Sequence, residues 1–138
     1  MGYLLDTNAL SEIFKQKPNK NVVAWFTQTD ESEQYISVFS IGEIQRGISK
    51  LAASRRKVEL QSWFDQFVIR YKGRILPFVF DTATVWAQMV ADLERRGRIL
   101  PMIDSMIAAI ALEHQLTVVT KNERDFTDTK AAVLNIWE

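Results

Sequence analysis

At 138 residues, 47% hydrophobic and 25% charged, the chain suits one globular domain spanning 1–138 and argues against a disordered or fibrous protein. Its 17 Lys and Arg balance 17 Asp and Glu, so it is no generic polyanion binder, and any nucleic-acid contact must come from local patches. Cysteine is absent, which removes disulfides, thiol catalysis and thiolate metal sites and suits a reducing cytoplasm. No apolar run nears the ~20 residues of a membrane span, and no secretory signal is expected.

Taken in chain order, Tyr3 to Leu5 reads as a short buried strand that stops at Asp6. Residues 8–16 fit a helix ended near Pro18, and "NVVAWFTQT" at 21–29 fits a second one. "YISVF" at 35–39 is β-branched and aromatic, a strand signal, with a helix following from about Ser40. Leu60, Trp63, Phe64, Phe67, Val68 and Tyr71 fall at helical gaps over 57–71, and Gly73 closes that helix. "RILPFVF" is extended; 81–96 is helical with Gly97 as its stop; 102–115 is an alanine-rich helix. "LTVVT" at 116–120 and "AVLNIW" at 132–137 read as the last strands, and the four tryptophans as core or subunit-contact residues. Strands alternating with helices predict an α/β fold, a mainly parallel central sheet with helices on both faces.

Four acids fall at element junctions on this map: Asp6 after the first strand, Glu43 in the first turn of the helix after the second, Asp104 in the first turn of the alanine-rich helix, and Asp125 beyond Thr120. Each has an ordinary structural explanation. Asp6 caps a helix, Ser40 and Glu43 match a Ser-x-x-Glu capping box, Asp104 offsets a helix dipole, and Asp125 makes a turn. Strand ends in a parallel sheet share one edge, however, so these junctions converge, and clustered acids repel one another unless a cation intervenes. An oxygen-only donor set suits Mg²⁺ or Mn²⁺. The only histidine, His114, sits near a helix end and offers neither a zinc set nor a Ser/His/Asp triad.

"YLLDTNALSEIF" at 3–14, "ISVFSIGEIQRGI" at 36–48, "PMIDSMIAAIAL" at 101–112 and "LTVVTKNERDF" at 116–126 together resemble the PIN-domain ribonucleases, specifically VapC-type toxins of toxin–antitoxin modules. They stand in that family's order over nearly the whole chain. The resemblance implies a PIN-like fold and a metal-dependent endoribonuclease whose acidic site is Asp6, Glu43, Asp104 and Asp125. Asp6 and Asp104 are then direct metal ligands. Glu43 and Asp125 bind metal directly or through water, or help deprotonate the attacking water. Glu123 competes with Asp125 as the fourth acid. Asn8, Ser40 and Thr120 match polar positions beside the site that orient water or carboxylates, while capping at the first turn falls to Thr7 or Asn8. Arg46, Lys121 and Arg124 are candidate RNA contacts, as are the runs Arg55-Arg56-Lys57 and Arg95-Arg96-Arg98. The resemblance further implies Mg²⁺ or Mn²⁺ as cofactor, an RNA substrate, a homodimer in the cytoplasm, and a VapB-type antitoxin joining a larger assembly.

Two departures stand out. Lys121 replaces the Arg of a Thr-Arg-Asn pattern, losing its bidentate fork, and Ile136 replaces Pro in Asn-Pro-Trp. A haloacid-dehalogenase-like phosphatase needs a second Asp where Asn8 stands, and a receiver domain needs an acidic pair after its first strand and a phosphoacceptor Asp ending a central strand, whereas "YISVFS" ends in Ser. The other alternative is a non-enzymatic interaction module whose acids are all caps.

Overall fold

The computed structural model describes residues 2–138. The elements run β1 (Tyr3–Leu5), α1 (Thr7–Ile13), α2 (Lys20–Gln28), β2 (Gln34–Ser37), α3 (Val38–Ser49), α4 (Arg55–Arg70), β3 (Ile75–Leu76), α5 (Phe80–Arg95), α6 (Met102–His114), β4 (Thr117–Val119) and β5 (Val133–Leu134). Every strand pairing is parallel, in the order β3-β2-β1-β4-β5. The chain therefore starts at the centre, builds outward through β2 and β3, then crosses to the other side of β1. The connections leaving β1 and β4 diverge, which opens a crevice at their carboxyl ends.

The two-residue side-chain period of β1 and β4 separates the core into two layers. Leu4 and Val118 face Met89, Leu93, Ile107 and Ile110 of α5 and α6. Leu5, Ile36 and Val119 face Leu10, Val22, Ile44 and Phe64 of α1 to α4. Helices thus cover both faces, as the alternating pattern predicts. Each of these side chains removed from water contributes about 1.5–3 kcal/mol before entropy is counted, so three-residue strands suffice when both faces are covered.

The element ends differ from the sequence reading for local reasons. β2 stops at Ser37, two residues short of Phe39, because Ser37 Oγ accepts the Ser40 N–H at 3.1 Å and starts α3 at Val38. The capping box between Ser40 and Glu43 is therefore absent, and Glu43 lies in the second turn of α3. β3 shrinks to Ile75–Leu76 because Pro77 brings no N–H to the ladder. β4 and β5 are likewise trimmed at both ends. α1 begins one residue early and ends at Ile13, three residues before the expected stop. Gly97 closes α5 at φ +74°, where a Cβ is disfavoured.

None of the tryptophans is fully buried. Trp63 is 48% exposed, Trp25 packs edge-on to Tyr3 and Phe26, and Trp86 and Trp137 donate their indole N–H groups to Ser105 and Glu12. Glu12 is a buried carboxylate with a structural task. It accepts from Lys15 Nζ and the Asn19 N–H, both at 2.9 Å, and from Trp137 Nε1 at 3.4 Å. It thereby ties the end of α1 to the loop before α2 and to the Trp137 segment. Glu12→Ala leaves the half-buried Asn19 N–H and Trp137 indole N–H without their acceptor and is expected to cost about 2 kcal/mol. The urea unfolding midpoint measures this, and a change smaller than about 0.5 kcal/mol would refute the clamp.

Candidate acidic site at the strand ends

Asp6 follows β1 at the mouth of the crevice and is 4% exposed. Its backbone N–H extends the ladder to Val119 O at 3.0 Å, and its carbonyl accepts from Ala9 and Leu10 to open α1. Both carboxylate oxygens are engaged. Oδ1 accepts the Thr7 N–H at 2.8 Å, and Oδ2 accepts the Thr120 hydroxyl at 2.8 Å. Asp6 itself is thus the cap of α1; capping does not pass to Thr7 or Asn8. Burial pushes its carboxyl above the ordinary range, the Thr120 and Thr7 hydrogen bonds work against that, and the charges of Glu43 and Asp125 add to it.

Thr120 spends its whole hydrogen-bonding capacity here. Besides donating to Asp6, its hydroxyl accepts from Asn8 Nδ2 at 3.2 Å and from the Asn122 N–H at 3.0 Å. Asn8 Oδ1 in turn accepts the Lys121 N–H at 3.3 Å. The exits of β1 and β4 are knitted together by these side chains.

Glu43 reaches the site through Thr7, whose hydroxyl donates to Glu43 Oε1 and lies 3.0 Å from the buried Ser40 Oγ. Ser40 continues to Ser37 Oγ at 3.4 Å. Thr7 and Ser37 belong to this constellation although neither stands out in the sequence. Thr7 lies inside "DTN", which is the one signal that points to it.

Asp104 stands in the first turn of α6, and Asp125 ends a 3₁₀ turn after β4. Their side chains share a hydrogen bond, and the Asp104 carboxyl is pushed up to about 6. Burial is the largest cause, followed by the charges of Asp6, Asp125 and Glu43. All four acids therefore act on one locus. The charge of Asp125 helps to raise both Asp6 and Asp104, whereas Glu123 is exposed.

Among the described residues, no three acidic or histidine side chains are gathered tightly enough to enclose an ion. The chemistry of the donors nevertheless fits a hard divalent cation: all are oxygens, and the repulsion that raises Asp104 is what such a charge relieves. His114 is exposed at the far end of α6 beside Glu113, 3.5 Å away, and joins no triad.

The basic runs have other tasks. Arg56 donates to the Phe14 carbonyl, and Lys57 to the carbonyls of Ser49 and Leu51. Arg95 and Arg96 pair with Asp92, and Arg98 with Asp128. Arg95, Arg96 and Arg98 are thus paired with carboxylates, whereas Arg56 and Lys57 meet neutral carbonyls and keep their charge. Arg46 and Arg124 are exposed and carry no partner among the described residues, and Lys121 sits over the Trp137 ring.

The PIN domain family model matches residues 3–132. The chain is 34% identical over 135 residues to Toxin FitB of Neisseria gonorrhoeae, covering 97% of each, and 29% identical over 136 residues to VapC ribonuclease Y4jK of Sinorhizobium fredii, covering 98% of this chain and 97% of the relative. The crystal structure of FitAcB from Neisseria gonorrhoeae superposes with a TM-score of 0.94 at 34% identity, covering 99% of both chains.

The acid cluster has a thermodynamic consequence. In the folded chain Asp104 keeps its proton up to about pH 6, against an ordinary 3.8. Between these values the folded state binds more protons than the unfolded one, so the metal-free protein loses stability as pH rises through that window. Asp104→Asn is expected to stabilise it near pH 7 by on the order of 1 kcal/mol, once partial exposure is discounted. Urea unfolding in EDTA at about pH 5 and about pH 7 reads both effects; a destabilised variant at the higher pH would contradict this account.

Proposed function

Because the chain belongs to the PIN-domain family, we propose that it is the toxin of a type II toxin–antitoxin pair, a divalent-metal-dependent endoribonuclease that hydrolyses RNA phosphodiester bonds. The observation that carries this reading is the convergence of Asp6, Glu43, Asp104 and Asp125 from separate elements on one crevice. The whole of residues 1–138 acts as one nuclease domain.

Asp6 and Asp104 would hold Mg²⁺ or Mn²⁺ directly, and Glu43 and Asp125 would join them directly or through water. Such an ion lowers the pKa of water and offsets charge on the phosphodiester. The protein's own work is orientation. Thr7 and Thr120 fix both oxygens of Asp6, so its carboxylate meets the ion without rotational loss. Asp104 must be deprotonated to take part. Water attacks phosphorus, a carboxylate of the cluster takes its proton, and the P–O bond to the departing strand breaks. No covalent nucleophile is required.

A partner antitoxin with a basic arm closes the acidic groove by occupying the place of the ion or of RNA. A second copy of the chain completes a homodimer. No helix of the described residues is long and apolar enough to cross a membrane, and RNA as substrate fits a cytoplasmic site of action.

Asp6→Asn and Asp104→Asn are each expected to keep the fold by circular dichroism yet lower Mg²⁺-dependent cleavage of total RNA on the order of a hundredfold or more. EDTA should abolish cleavage by the unaltered chain. Activity that persists in EDTA overturns the mechanism, and growth arrest on expression that Asp6→Asn fails to relieve overturns the toxin reading.

A further inference from the structure

The two departures from the family pattern lie beside a single contact. The ammonium of Lys121 sits 5.8 Å from the centroid of the Trp137 ring, within the range of a cation–π interaction. That ring does not drift. Its Nε1 donates to the buried Glu12 at 3.4 Å, its backbone N–H to Asn135 Oδ1 at 2.9 Å, and its carbonyl accepts from Asn21 Nδ2 at 2.8 Å. Ile136, where the family often has Pro, is buried in the α1-to-α4 layer and pins the same segment. At the other end, the Lys121 backbone is fixed by its bond to Asn8 and by adjacency to Thr120, which holds Asp6.

Lys121 opens onto a cleft of about 390 Å³ that it shares with Asn122, Arg124, Asn135 and Asp125. Glu123 and Glu138 line the same cleft and are exposed. They are the natural ion-pair partners of a lysine, yet among the described residues Lys121 pairs with neither. The physical distinction matters. A carboxylate partner cancels a lysine's charge, whereas an aromatic face steadies the ammonium and leaves its charge available to a third group.

We propose that Trp137 is a positioning residue: it holds the Lys121 ammonium, unneutralised, at the mouth of the cleft beside Asp125, where it takes a backbone phosphate of the RNA strand adjacent to the one hydrolysed. The inference rests on the nuclease reading for the identity of the strand. It differs from that reading in assigning a phosphate subsite and the indole that maintains it.

The test is equilibrium binding of a fluorescein-labelled, mixed-sequence single-stranded RNA in Mg²⁺, read by anisotropy. Every variant is made in the Asp6→Asn background, so the strand stays intact. Lys121→Met should weaken binding about fivefold, the scale of one exposed charge pair, and reduce the slope of log K against log salt by about 0.7, one phosphate contact on a single strand. Trp137→Leu should match it in both, and the double variant should lose no more than either. Trp137→Phe, which keeps an aromatic face, should recover most of the loss. A merely structural tryptophan would leave the salt slope unchanged and add its loss to that of Lys121→Met, and either result overturns the proposal. If Trp137→Leu fails to fold, Trp137→Gln, which keeps an N–H donor for Glu12 but offers no aromatic face, takes its place, and an unchanged slope in it overturns the proposal. Cleavage of the same RNA by the chain with Asp6 intact reports the nuclease reading separately: cleavage with no change of slope sinks only the subsite, whereas absence of both binding and cleavage sinks both.

Discussion

The hydrogen bond from Thr120 to Asp6 is the closure on which the site depends. It spans 2.8 Å between residues that leave β1 and β4, neighbours in the sheet that are far apart in the chain. Parallel pairing of β1 with β4 sets the two exits side by side, and the reversal of strand order there keeps the crevice open above them. The hydroxyl then holds one carboxylate oxygen while the first amide of α1 holds the other. A carboxylate with both oxygens engaged cannot rotate, so it presents one fixed edge to whatever enters. Thr7 extends the same order to Glu43, and Asn8 extends it to the Lys121 backbone. What looks like a group of separate acids is one hydrogen-bonded frame with charge at its centre.

Much of the fold was legible because its signals are local. Leu4 and Leu5 precede an acid that precedes a helical pattern, Gly97 follows a helical stripe, and alternating strands and helices force a covered parallel sheet. The misreadings have a common cause. Val38 and Phe39 have strand propensity, but the Ser37 hydroxyl captures the Ser40 amide and turns both residues into the first turn of α3. Local preference lost to a cap three residues away, and Glu43 moved from the first turn to the second. Asp6 reads from the sequence either as a cap or as a ligand, and the geometry shows the cap: the Thr7 amide holds its Oδ1 edge while the Thr120 hydroxyl holds Oδ2. Thr7 and Trp137 were opaque for another reason. Their importance lies in partners distant in sequence, Glu43 and Lys121, and no periodicity encodes such pairs.

The acid cluster also shows where stability is given up. Asp104 sits against Asp125 and under the fields of Asp6 and Glu43, and it holds its proton well past the usual range. Elsewhere the chain is economical. Among the described residues no buried side-chain nitrogen or oxygen lacks a partner, and the buried Glu12 is satisfied from three sides. Electrostatic frustration is thus concentrated in the crevice, the place where a divalent ion would remove it.

The strand order has a consequence in time as well as in space. A chain emerging from the ribosome presents Asp6 and Glu43 early, on β1 and α3, and these elements can collapse against each other. Asp104, Thr120 and Asp125 arrive only with the last third of the sequence, and β4 must then insert beside β1 at the centre of the sheet. Until that late, non-local pairing forms, Asp6 lacks the hydroxyl that locks it and the cluster lacks half its acids. The four acids therefore come together only after most of the chain has been made, once β4 has taken its place beside β1.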